Sequence, residues 1–88
     1  MKITIQFEAQ LREISGEAEV ILDPPDSATL PEVLTLVSEA KDALRERLFS
    51  GSEVSPSLMV FVNEQPVTVD HVLHDGDTVL LLPPISGG

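Results

Sequence analysis

A short apolar run, Val79 to Leu82, is cut off by two consecutive prolines, Pro83 and Pro84. Proline has no backbone N–H and holds φ at about −65°, so a sheet strand must stop there. One apolar residue, Ile85, one small polar residue, Ser86, and the pair Gly87 and Gly88 follow. Nothing in those four residues packs tightly. Glycine lacks Cβ and makes the narrowest chain available, able to pass where any side chain would clash. A chance pair of glycines or a cloning remnant would give the same ending. The sharper reading is one device in three parts: a strand, a stiff Pro-Pro spacer that loses little chain entropy, and a thin tip ending in the Gly88 carboxylate.

A chain of 88 residues has room for a single core, here assigned to residues 1–82, with 83–88 as the tail. Cysteine is absent, so no thiol acts as nucleophile, disulfide partner or metal ligand. Fifteen acidic against five basic residues give a net charge of −10. That balance disfavours nucleic acid and anionic membrane surfaces and suits either a basic protein partner or plain solubility. No apolar run approaches the length of a membrane span, and Met1-Lys2-Ile3-Thr4 lacks a signal-peptide plan; an intracellular, cytoplasmic protein is expected.

Ile3, Ile5 and Phe7 alternate with Lys2, Thr4 and Gln6, which predicts a half-buried first strand. Ala9 to Ser15 suits two short helical turns closed by Gly16, and Glu17 to Asp23 a second strand in an antiparallel hairpin with the first. After the breaker Pro24-Pro25-Asp26-Ser27, Thr29 and Glu32 have capping-box spacing with Pro31 in the first turn. Leu30, Val33, Leu34 and Val37 then form the stripe of an amphipathic helix, which Leu44 and Leu48 extend on the same or a second helix. Ser50 to Ser57 has loop composition, and Ser57 to Val62 reads as a strand apolar on both faces, either central or lined by a partner. Asn63-Glu64 suits a tight turn, and Gln65 to Val69 a short edge strand because of Pro66. His71, His74, Asp75 and Asp77 resemble a metal cluster, but Asp75-Gly76-Asp77 is ordinary turn chemistry and the spacing completes no coordination set. The order of elements fits an α+β fold, a ubiquitin-like β-grasp with one main helix across a mixed sheet. The crossover brings the third or the last strand beside the first.

Three stretches carry a resemblance to a known family: Phe7 to Glu13 with Gly16, Val62-Asn63, and Leu73-His74-Asp75-Gly76-Asp77-Thr78-Val79 through Pro83-Pro84-Ile85-Ser86-Gly87-Gly88. The sequence resembles the small subunits of molybdopterin synthase, the MoaD-type sulfur carriers. The resemblance implies that an E1-like adenylyltransferase uses ATP to adenylate Gly88, and that a sulfur donor enzyme converts it to a thiocarboxylate. The tail residues Pro83, Pro84, Ile85, Ser86 and Gly87 then thread into the large synthase subunit, where the sulfur passes to a pterin precursor. It implies no permanently bound cofactor, and the spacing noted above leaves no metal site expected. It also implies a partner-binding sheet face, to which Phe7, Arg12, Met59, Phe61, Leu81 and Leu82 are assigned. Family members often carry aromatics where this chain has Glu8, Leu81 and Leu82. A carrier for thiamine or cysteine biosynthesis, a ubiquitin-like modifier joined to lysines through Gly88, and an inert β-grasp domain are the alternatives. No catalytic set stands out among the scattered carboxylates, so the expected role is a sulfur-donating cosubstrate and not an enzyme.

Overall fold

Alternating apolar residues build a five-stranded mixed sheet, and one helix closes its inner face. In the computed structural model, which describes residues 1–83, β1 (Ile3–Phe7) leads through α1 (Gln10–Ser15) to β2 (Glu19–Leu22). α2 (Leu30–Ala40), a 3-10 turn (Asp42–Leu44) and α3 (Arg45–Leu48) follow, then the two-residue strands β3 (Phe49–Ser50) and β4 (Glu53–Val54). β5 (Met59–Val62), β6 (Gln65–Pro66) and β7 (Thr78–Leu82) complete the chain. The strand order β2-β1-β7-β5-β6 is that of a ubiquitin-like β-grasp. β1 runs antiparallel to β2, with Ile5 opposite Val20. It runs parallel to β7, with Phe7 opposite Leu81. β7 in turn pairs antiparallel with β5. The last strand, rather than the third, is therefore the one inserted beside the first.

Ile3, Ile5 and Phe7 of β1 are fully buried against Leu30, Val33, Leu34 and Val37 of α2 in one core cluster. The start of α2 is set by its capping box: the Thr29 N–H and Oγ1 both donate to Glu32 Oε1, at 3.3 and 2.9 Å. Its end is tied back by Lys41, whose Nζ donates to the Ser15 carbonyl at 3.0 Å and meets the Glu17 carboxylate. Leu44 and Leu48 continue the buried stripe on the 3-10 turn and α3. α1 ends at Gly16, whose φ of 80° is a left-handed cap that costs glycine nothing.

Three features differ from the sequence reading. The stretch expected as a loop from Ser50 to Ser57 contains part of a small antiparallel hairpin, β3 with β4, turned at Gly51 and Ser52. The second strand begins at Glu19, because the Ser15 hydroxyl bonds both the N–H and the carbonyl of Glu17 and holds the preceding residues in a bend. The edge strand expected over Gln65 to Val69 is limited to β6, Gln65–Pro66, while β5 is an interior strand between β7 and β6 with its second apolar face on the helix-free side. The expected Asn63-Glu64 turn is present with both residues at positive φ, 50° and 71°. That pattern defines a type I′ hairpin turn. Among the described residues, no helix is long and apolar enough to cross a membrane.

Replacing Leu34 by Ala leaves a cavity under the sheet and should cost about 2–5 kcal/mol in urea denaturation. Glu64→Gly should instead stabilise the fold by about 0.5–1 kcal/mol, because a left-handed φ costs an L-residue more than glycine loses in chain entropy.

Candidate docking face and the root of the tail

The two faces of β7 have separate tasks. Val79 and Leu81 point into the core and are fully buried, while Thr78, Leu80 and Leu82 point to the opposite, helix-free face. β5 repeats the division, with Val60 and Val62 inside and Met59 and Phe61 outside. The pairing register sets Leu82 opposite Met59 and Leu80 opposite Phe61, so four large apolar side chains stand together on the outer face. The same row continues through Gln6 of β1 to Glu19 of β2. A shallow depression of about 770 Å³ lies on this surface, lined by Gln6, Phe61, Asn63, Glu64, Thr78, Leu80 and Leu82. Exposed apolar area beside a polar rim is the composition of a protein-docking site.

Of the residues assigned in advance to partner contact, Met59, Phe61 and Leu82 lie on this face. Phe7 and Leu81 do not: both are 0% exposed, because their places in the two-residue period of β1 and β7 turn them under α2. They are core residues. Leu80, Gln6, Thr78, Asn63 and Glu64 were not anticipated. Counting the period outward from the buried Val79 would have found Leu80. Arg12 is half exposed and occupied locally; its Nε donates to the Phe7 carbonyl at 3.2 Å and its Nη2 meets Glu8 Oε1 at 3.3 Å. An exposed pair of this kind adds well under about 1 kcal/mol. Of the tail residues only Pro83 is described, and it is buried, which makes it part of the body. Pro84, Ile85, Ser86, Gly87 and Gly88 lie outside the described residues.

The histidine-containing segment acts as a clamp. Asp77, 9% exposed, accepts from Asn63 Nδ2 and from the His74 N–H, each at 2.8 Å. Asn63 Oδ1 in turn accepts from the Thr78 N–H at 3.0 Å. Asp75 accepts from the Lys2 N–H at 2.7 Å, and Gly76, at φ 88°, donates its N–H to the Lys2 carbonyl at 2.8 Å. These bonds fasten the start of β7 to β1 and to the β5–β6 turn. The Asp70 carboxyl is held below the usual carboxylate range, chiefly by the Thr68 hydroxyl that bonds it. Among the described residues, no three His, Asp or Glu side chains gather into a metal-binding group.

A β-grasp body, an open apolar sheet face and a Gly-Gly tail continuing from the strand that forms it together define a ubiquitin-like carrier. The chain belongs to the ThiS family, which it matches over residues 5–88. It is 33% identical to small archaeal modifier protein 3 of Haloferax volcanii, over the full length of both chains. It is 35% identical to the molybdopterin synthase sulfur carrier subunit of Escherichia coli, covering 98% of this chain and 99% of that one. Its fold superposes on the crystal structure of SAMP1 from Haloferax volcanii with a TM-score of 0.93 at 28% identity, covering both chains completely.

Asp77→Ala removes the acceptor of two bonds from a nearly buried site and should destabilise the protein by about 1–3 kcal/mol in thermal unfolding.

Proposed function

We propose that this protein is the sulfur-carrying small subunit of a molybdopterin synthase, working in the cytoplasm as a cosubstrate without catalytic groups of its own. One observation carries the reading: β7 presents an apolar docking face with Leu80 and Leu82 and runs directly into the Pro-Pro-Ile-Ser-Gly-Gly tail. A partner that binds the face therefore receives the tail. Full-length similarity to a synthase sulfur carrier subunit supports the same reading.

The chemistry follows from the Gly88 carboxylate. Ionised at neutral pH, it resists nucleophilic attack and needs a better leaving group. An E1-like adenylyltransferase supplies one: the carboxylate attacks the α-phosphorus of ATP, pyrophosphate leaves, and an acyl adenylate forms. Sulfide-level sulfur supplied by a donor enzyme then attacks the acyl carbon and AMP leaves, giving the thiocarboxylate. In the large subunit that sulfur attacks a carbon of the pterin precursor and displaces an oxygen substituent from it, and water then cleaves the resulting thioester, leaving the sulfur on the precursor and returning the carboxylate for another round. With cysteine absent from the chain, the terminus is the one place to hold transferable sulfur. Ile85, Ser86, Gly87 and Pro84 thread the tail, and Met59, Phe61, Leu80 and Leu82 hold the body on the partner. Arg12 sits at the β1–α1 corner, where it contributes at the edge.

A second reading is favoured by the full-length similarity to a small archaeal modifier protein. In it the same adenylate ends in an isopeptide bond to a lysine of a target.

Incubation with ATP, the activating enzyme and a sulfur source should replace one terminal oxygen by sulfur, read by intact-mass spectrometry. Reconstitution with the large subunit should then form the dithiolene. Protein conjugates without sulfur exchange would favour the modifier, and an unchanged mass would overturn both. Adding one residue after Gly88 should abolish loading while leaving the melting temperature unchanged. Leu82→Asp should weaken the complex with the large subunit about tenfold or more in calorimetry, a loss of about 1.4 kcal/mol or greater.

A further inference from the structure

The outer face changes character along β7. Toward the tail it is apolar, with Leu82 opposite Met59 and Leu80 opposite Phe61. Toward the start of the strand it turns polar, through Thr78, Asn63 and Glu64. The depression joins the two halves. Its apolar part, Phe61 with Leu80, is open to an aliphatic stem or to a planar cation stacked on the ring. Asn63 is already committed at both ends of its amide, to Asp77 and to the Thr78 N–H. That leaves the Gln6 amide, the Thr78 hydroxyl and the Glu64 carboxylate as the polar groups without a bonded partner among the described residues.

The lining holds one ionisable group, Glu64, and no Lys or Arg. Glu64 forms no ion pair among the described residues and stands at φ 71°, a position that glycine would occupy without steric strain. The side chain it brings there is a carboxylate at the mouth of the depression. Glu19, next to Gln6 across the β1–β2 pair, adds a second exposed carboxylate on the far side. Apolar floor, acidic rim and spare acceptors together match a long cation.

We infer that this depression takes one long cationic side chain, arginine in preference to lysine, from the partner that docks on the sheet. Its stem lies on Phe61 and Leu80, and its guanidinium reaches Glu64, Gln6 and Thr78. The five donors and planar shape of arginine satisfy several acceptors at once, which the compact ammonium of lysine does not. Four residue steps of strand run from Thr78 to Leu82, so the anchor sits about 13 Å from the root of the tail. The partner thus carries its arginine at that distance from the mouth of the channel that receives the glycines. The inference rests on the outer face being the docking face, as proposed above.

The test is calorimetry of the full-length chain with the large subunit of molybdopterin synthase at low and high salt. Glu64→Gln, which keeps the turn and removes the charge, should weaken binding about threefold to tenfold at low salt and flatten the salt dependence. Glu64→Lys should weaken it further, and Leu80→Asp should abolish it. Wild-type affinity and salt slope for Glu64→Gln, with Leu80→Asp still defective, would overturn the cationic anchor and leave the docking face standing. Unchanged binding by Leu80→Asp, or no binding by the wild-type chain, would overturn the proposed docking and the anchor with it.

Discussion

The parallel pairing of β1 with β7 is the contact on which the rest depends. It places the last strand, the one that leads into the tail, in the middle of the sheet between β1 and β5 and not at an edge. A central strand is held on both sides by ladders of backbone hydrogen bonds, and its inner side chains close the core under α2. Val79 and Leu81 supply that closure. Because side chains alternate strictly along a strand, the residues between and beyond them, Leu80 and Leu82, are forced out onto the open face. The closed core and the open apolar face are thus written into alternate positions of five residues.

The clamp at the start of β7 fixes the register of that pairing. Asp77, Asn63, Asp75 and Gly76 join three separate segments through short hydrogen bonds, and a slip of one residue would exchange the buried and exposed sets. The motif that looked like a metal cluster is therefore a register device, and its carboxylates are occupied in holding backbone and amide donors. The type I′ turn at Asn63-Glu64 belongs to the same assembly and exposes the Glu64 carboxylate, which forms no ion pair among the described residues.

The elements with a clear period or cap were readable from the residues. β1, the Leu30-Val33-Leu34-Val37 stripe, the Thr29-Glu32 cap and the Gly16 stop each appear where local rules put them. What failed was the face of two residues. The family resemblance groups Phe7 and Leu81 with Leu82 on an apolar docking face, yet a period of two turns Phe7 and Leu81 inward and leaves Leu82 outside. The small hairpin of Phe49–Ser50 with Glu53–Val54 escaped notice because two-residue strands have no period to detect. The depression was invisible for another reason: Gln6, Phe61, Glu64 and Leu80 come from three segments that only the strand order brings together.

The surface that results is acidic at its rim and apolar at its centre, on a chain of net charge −10. Such a surface is steered toward a basic partner at long range and held by burial at short range. Both proposed readings of the tail chemistry, sulfur donor and modifier, would use this arrangement, since each calls for a partner that holds the body while Gly88 reacts. The most direct measurement is amide chemical-shift mapping of the protein as the synthase large subunit is added. Changes are expected in β5, β7, Gln6 of β1, the Asn63-Glu64 turn and the tail, with α2 and α3 unmoved. Changes centred on α2 and α3, with Leu80 and Phe61 silent, would contradict docking on the outer face.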